Sequence, residues 1–143
     1  MQIIKIAKIE PNAFLPTRKH PADAGLDMYA NCDMRIEPHS IAIVSTGITL
    51  EIMDGYVGLL KPKGRNNHLL GAGVVDAGYQ GEILVKVTNI SNQALEIKPG
   101  DAIGQLLILP IFTPEVLEVE LDQIHNENSS RGMTGGIVDQ RKS

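Results

Sequence analysis

One cysteine, no tryptophan, and two phenylalanines with three tyrosines in 143 residues leave this chain short of the groups on which many functions depend. A lone Cys32 builds neither a disulfide framework nor a multi-cysteine zinc site, so a reducing compartment is its natural setting and the cytoplasm its expected location. The four histidines, His20, His39, His68 and His125, share no ligand spacing such as His-Glu-x-x-His, and no structural metal is read from them. No Gly-x-Ser-x-Gly elbow marks an acyl enzyme. Excess cationic charge is lacking too: 13 Lys and Arg stand against 17 Asp and Glu, a net charge of -4. Such a chain cannot displace the counterions of a long phosphate backbone, and its few aromatics make a poor platform for stacked bases. Polymeric nucleic acid is therefore not an expected partner. No run approaches the roughly 18 consecutive apolar residues of a membrane span, and residues 1–10 lack the order of a signal peptide. The expectation is a soluble protein with no membrane partner.

What is present leans towards strands. Of the residues 43% are hydrophobic, and the β-branched ones among them are stiff at χ1 and suit a pleated surface. Apolar runs of strand length occur at 3–9, 41–52 (broken by Ser45-Thr46-Gly47), 56–60, 82–90, 94–97, 102–112 and 116–121. Turn residues separate them: Glu37-Pro38-His39, Asp54-Gly55, Ala77-Gly78, Ser91-Asn92, Pro99-Gly100-Asp101 and Thr113-Pro114. Short strands at such intervals predict an all-β sandwich or barrel. No segment keeps apolar residues at i, i+3, i+4, i+7 for three turns, so helix is expected to be scarce, one short piece at most. After Leu121 the chain turns polar and glycine-rich. Residues 1–124 are read as one β domain, able to hide roughly 70% of its unfolded surface, and 125–143 as a mobile arm.

Five segments gather polar and glycine residues beyond what a β scaffold requires. Ala24-Gly25-Leu26-Asp27-Met28 sets an acid between apolar neighbours and reads by itself as a strand-edge turn. Lys61-Pro62-Lys63-Gly64-Arg65-Asn66-Asn67 gathers three cations and two amides around a glycine, which suits either an oxyanion or a solvated basic turn. In Gly71-Ala72-Gly73-Val74-Val75-Asp76-Ala77-Gly78-Tyr79-Gln80-Gly81-Glu82, glycines mark a hairpin where backbone can lie against a flat ligand. Asp76 there is a candidate general base and Tyr79 a candidate flat wall, the other reading being a capped turn. Pro99-Gly100-Asp101-Ala102-Ile103-Gly104-Gln105-Leu106 sets one amide among apolar residues, where Gln105 must find partners or face solvent. Ser129-Ser130-Arg131-Gly132-Met133-Thr134-Gly135-Gly136 puts a cation and hydroxyls on the arm, either to close over phosphates or as an ordinary Gly/Ser-rich tail.

In order and spacing these five segments, over residues 21–136, resemble the five motifs of the trimeric dUTP pyrophosphatases (dUTPases). The third and fourth carry the resemblance most specifically. It implies a jelly-roll-like β fold and a homotrimer whose sites lie between subunits, each arm reaching a neighbour. It also implies hydrolysis of dUTP to dUMP and pyrophosphate, with Asp76 activating the attacking water. Mg2+ is the implied cofactor, with Asp27 near it, reached through water because this ion dehydrates reluctantly. Lys63, Gly64, Arg65, Gln105 and Arg131 are the implied phosphate contacts. Gly73, Val74 and Val75 would read uracil through backbone groups, and Tyr79 would pack under the deoxyribose and refuse a 2′-hydroxyl.

Two motifs depart from the family pattern. The second usually reads Pro-Arg-Ser, where this chain has Pro62-Lys63-Gly64-Arg65. A serine hydroxyl is missing and Lys63 is a point charge in place of a forked guanidinium, with Arg65 or Asn66 as candidate substitutes. The fifth keeps Arg131-Gly132 and Gly135-Gly136 without the aromatic residue that would cover the base, Ile137 or Val138 being nearest. Two other functions stay open at this stage. One is a dCTP deaminase or pyrophosphatase of shifted specificity on the same fold, for which Glu82 is the only carboxylate near Asp76. The other is a nucleotide-sensing module with weak turnover.

Overall fold

The computed structural model describes residues 3–64, 66, 68–70 and 73–125. Eleven short strands form all of its regular structure apart from one 3-10 turn: β1 (Lys5–Lys8), β2 (Leu26–Tyr29), β3 (Met34–Ile36), β4 (Ile41–Ser45), β5 (Ile48–Glu51), β6 (Tyr56–Lys61), β7 (His68–Leu70), β8 (Gly73–Val75), β9 (Leu84–Asn89), β10 (Leu95–Ile97) and β11 (Ala102–Pro110). All described pairings are antiparallel. A four-stranded sheet runs β2-β11-β6-β8 and a three-stranded one β4-β9-β7, with the pairs β1-β5 and β3-β10 completing a jelly-roll-like sandwich.

Alternation along the strands builds the interior. In β9, Val85, Val87 and Asn89 are buried while Leu84 and Lys86 point outward. Each buried valine contributes about 1.5–3 kcal/mol. Met28, Val44, Ile48, Ile83, Ile103 and Leu106 join them in one aliphatic core that contains no aromatic ring among its buried members. Asn89, the one buried side-chain amide among the described residues, is fully used: its Nδ2 donates to the carbonyls of Ile36, Glu37 and Gln93, and its Oδ1 accepts from Ser91. Turns fall where glycines were read. Gly55 and Gly100 have φ of 84° and 88°, the left-handed region that an L side chain resists.

Residues Met1–Thr113 form one unit and Pro114–Ser143 a second. The strand expected at 116–121 is absent: no strand is found there, and Val116 and Leu117 are exposed within the chain. β-branched residues favour strands only where a partner offers a ladder. The second unit instead makes a 3-10 turn at Leu121–Gln123, closed by Glu120 N donating to Gln123 Oε1 at 3.1 Å. Of the arm expected at 125–143, all but His125 lies outside the described residues.

Candidate active site

The four-stranded sheet brings two of the candidate residues together, and the loop after it adds a third. Asp27 on β2 lies opposite Gln105 on β11, which lies opposite Lys61 at the end of β6. These residues share one face, while the next row, Leu106 and Leu60, packs into the core. Beyond β6 the chain turns through Pro62 and carries Lys63 back over that face. Gln105 Nε2 donates to Pro62 O at 3.1 Å, and Lys63 Nζ stands 2.6 Å from Asp27 Oδ1. Gly25 is required here: a Cβ on it would come within 2.2 Å of Gln105 Oε1. Gly64 has open space where a side chain would be.

Asp27, Lys63, Gly64 and Gln105 line a depression of about 680 Å3 together with Lys19, His20 and Asp23. The last three were not among the residues read from the sequence, although the cluster Arg18-Lys19-His20 just before the Ala24-Gly25 motif was a usable signal. Asp23 accepts from the His20 backbone and pairs with His20 Nδ1 at 3.0 Å. That hydrogen bond, above all, holds its carboxyl below the ordinary aspartate range. Asn66 does not face the depression as a substitute ligand. Its Oδ1 accepts from Lys63 N at 3.2 Å and its Nδ2 donates to Ala102 O at 3.3 Å, so the amide is spent on holding the loop.

A divalent cation suits this depression chemically. Mg2+ takes oxygen ligands and keeps several waters, so one or two carboxylates suffice. Asp27 already holds a cation, the Lys63 ammonium, against its Oδ1. Among the described residues no group of three or more His, Cys, Asp or Glu could form an all-protein cage.

The other candidates lie on the hairpin that follows. Gly73, Val74 and Val75 form β8 and pair with Leu60, Leu59 and Gly58 of β6. Val75 is buried, Val74 is exposed, and Gly73 lies so close to Leu60 that a Cβ would come within 2.9 Å of that side chain. Asp76 ends the strand exposed, and its carbonyl accepts from Tyr79 N at 3.0 Å to close a turn. Among the described residues no hydrogen bond or ion pair engages the Asp76 carboxylate. Tyr79 is half-exposed and donates its hydroxyl to Glu82 O at 2.6 Å. Its ring, β8 and Leu84 line a second depression of about 200 Å3. No residue lines both depressions. Arg65 and Arg131, with Gly71 and Ala72, lie outside the described residues.

A family model for dUTPase matches residues 12–135. The chain belongs to the dUTPase family. It is 36% identical over 140 residues to the deoxyuridine 5'-triphosphate nucleotidohydrolase of Mycolicibacterium vanbaalenii, covering 92% of this chain and 91% of that one. To the Arabidopsis thaliana protein of that name it is 33% identical, over 92% and 82% of the respective chains. Among solved structures, the dUTPase of Staphylococcus bacteriophage 80alpha with dUpNHpp superposes with a TM-score of 0.84 at 26% identity, over 94% of this chain and 96% of that one. A mutant dUTPase from phage phi11 of S. aureus, described with a structural Mg(II) ion, gives 0.79 at 27% identity, over 83% and 97%. The all-β fold and the family expected from the motifs are thus both found. Among the described residues no helix is long and apolar enough to cross a membrane.

Proposed function

We propose that this protein hydrolyses dUTP to dUMP and pyrophosphate in the cytoplasm, as a homotrimer. The observation that carries the reading is Asp76: exposed and unengaged among the described residues, it closes a turn with Tyr79 at the end of the hairpin that the family uses for its base-reading motif. A carboxylate ionised at neutral pH takes the proton of a water attacking the α-phosphorus. A water oxygen–phosphorus bond forms there, the bridge to the β-phosphate breaks, and pyrophosphate leaves.

Lys63, Gly64 and Gln105 line the depression that takes the phosphates, joined by Arg65 and by Arg131 of the arm at 125–143. Bound Mg2+ would neutralise charge on the triphosphate oxygens, and Asp27 is the residue that would hold it, through water. On the hairpin side the edge strand Gly73-Val74-Val75, paired with β6, offers backbone groups to uracil. Reading by hydrogen bonds discriminates well, because cytosine would leave buried groups unpaired. Tyr79 packs under the sugar.

The homotrimer is supported by two depressions that share no lining residue among those described. One nucleotide needs phosphate contacts and Asp76 at once, and a neighbouring copy that brings its hairpin to the phosphate face supplies both. Deamination is disfavoured because the Glu82 carboxylate is already engaged: it accepts from Ser45 Oγ and from Gly47 N, the latter at 2.8 Å.

One assay tests the reading. Purified protein with magnesium is offered dUTP, dCTP, dTTP and UTP, with pyrophosphate and ammonia both measured. Pyrophosphate from dUTP alone, lost in Asp76→Asn, supports it. Ammonia release would replace it by deamination, and tight dUTP binding with neither product by a sensor.

A further inference from the structure

The turn that presents Tyr79 is gripped from outside the hairpin. Between β4 and β5 the chain bends at Thr46 and Gly47 without reversing, and this bend clamps onto residues 80–83. Thr46 Oγ1 donates to Ile83 O at 2.5 Å and Thr49 Oγ1 to Gln80 O at 3.3 Å, while Ile83 N donates to Ile48 O at 2.9 Å. At the centre, one oxygen of the Glu82 carboxylate accepts from both Ser45 Oγ and Gly47 N. Gly47 itself cannot move easily. It is buried at φ 68°, with Asn31 and Ala13 so close that a Cβ would come within 2.9 Å of each. A backbone amide donating to a half-buried carboxylate is a charge-assisted bond, stronger than a neutral one.

The same residue carries the tyrosine. The Tyr79 hydroxyl rests on the backbone carbonyl of Glu82 at 2.6 Å, and Gly81 leaves room for that phenol, since a Cβ there would come within 2.6 Å of its oxygen. The carboxylate of Glu82 is therefore tied to the β4–β5 bend, and its carbonyl is tied to the ring. We infer that Glu82 is a positioning residue for sugar discrimination: by holding Ser45 and Gly47 it fixes the carbonyl that sets the plane of Tyr79, and so how closely that ring excludes a 2′-hydroxyl. This rests on the proposed role of Tyr79 as the sugar wall. Loosening the grip lets the ring tilt and the pocket accept a ribonucleotide.

The readout is the ratio of kcat/KM for dUTP over UTP, taken well below each variant's melting temperature, because loss of stability alone lowers both values together. Glu82→Ala is expected to cut the preference for dUTP about tenfold, mainly by raising turnover of UTP. Glu82→Gln, which keeps an oxygen for both donors, should stay within about twofold of the parent. Ser45→Ala, which removes one donor and leaves no large cavity, should fall between and serves if Glu82→Ala does not fold. Parental preference in Glu82→Ala, or in Ser45→Ala where it stands in, overturns the inference. Tyr79→Ala separates the two levels of the argument. If it leaves the preference unchanged, the sugar-wall reading fails; if it abolishes the preference while Glu82→Ala does not, only the role of Glu82 fails.

Discussion

Lys63 Nζ sits 2.6 Å from Asp27 Oδ1, the most shielded of the described ion pairs, with side chains 27% and 21% exposed. A loop that departs from its family pattern thus places its point charge on the carboxylate proposed to lie beside the metal. On the proposed function, the ammonium would pass from that carboxylate to phosphate when a nucleotide binds with its own cation. A forked guanidinium would be harder to transfer, because it binds a carboxylate through two parallel bonds.

Lys63→Met is expected to weaken dUTP binding about tenfold, seen as a rise in KM larger than the fall in kcat. Since the contact is ionic and partly open to solvent, the gap between variant and parent should narrow as salt rises from low to about 0.5 M. A variant with parental KM at low salt would remove Lys63 from the phosphate contacts.

Asp76→Asn keeps the shape of the turn and removes the proton acceptor. Turnover is expected to fall about a thousandfold, within the range ascribed to general base catalysis, with dUTP binding retained by calorimetry.

Gly25→Ala tests how the phosphate face is built. The new methyl would overlap Gln105 Oε1 at 2.2 Å and crowd Gln105 Cβ at 3.1 Å, so rotation of the amide alone cannot relieve it. Overpacking of this kind costs about 1–3 kcal/mol. Denaturant unfolding should show that loss together with a raised KM, since Gln105 is displaced.

His20→Gln addresses the His20–Asp23 pair. Asp23 is held below its ordinary 3.8 chiefly by the hydrogen bond from His20. A depressed carboxylate adds stability above its unfolded pKa, and that stability disappears as pH falls through the folded one. In the variant the Asp23 carboxyl should titrate closer to 3.8, followed by NMR, and the acid limb of the stability curve should flatten slightly.

Deleting residues 128–143 should lower turnover more than it lowers the stability of the assembly, measured by scattering and melting. An unchanged rate would mean that the arm takes no part in catalysis.

Much of the scaffold was legible because β-branched runs and turn residues carry local information. The stretches at 56–60, 82–90 and 102–112 appear as β6, β9 and β11 with ends shifted by one or two residues. Shorter strands escaped. Leu26-Asp27-Met28-Tyr29 and Met34-Arg35-Ile36 are too brief and too mixed for a period to show, and their strand character comes from pairing with β11 and β10. The run at 116–121 failed in the opposite direction, being strand-like in composition without a ladder among the described residues.

The sequence by itself determined the all-β class and the family, and it proposed Asp76 and Tyr79 as site residues, because each is written in residues adjacent along the chain. The tertiary structure decided which distant residues meet. Asp27 and Gln105 face each other only through the β2–β11 register, Lys63 reaches Asp27 only because β6 pairs on the other side of β11, and Lys19 and His20 join them on the same depression. Glu82 shows the difference most sharply. In sequence it is a carboxylate six residues from Asp76, open to a chemical role, and in the fold its oxygen is held by Ser45 and Gly47. Register and loop closure lie between residues far apart in the chain, and no local pattern encodes them.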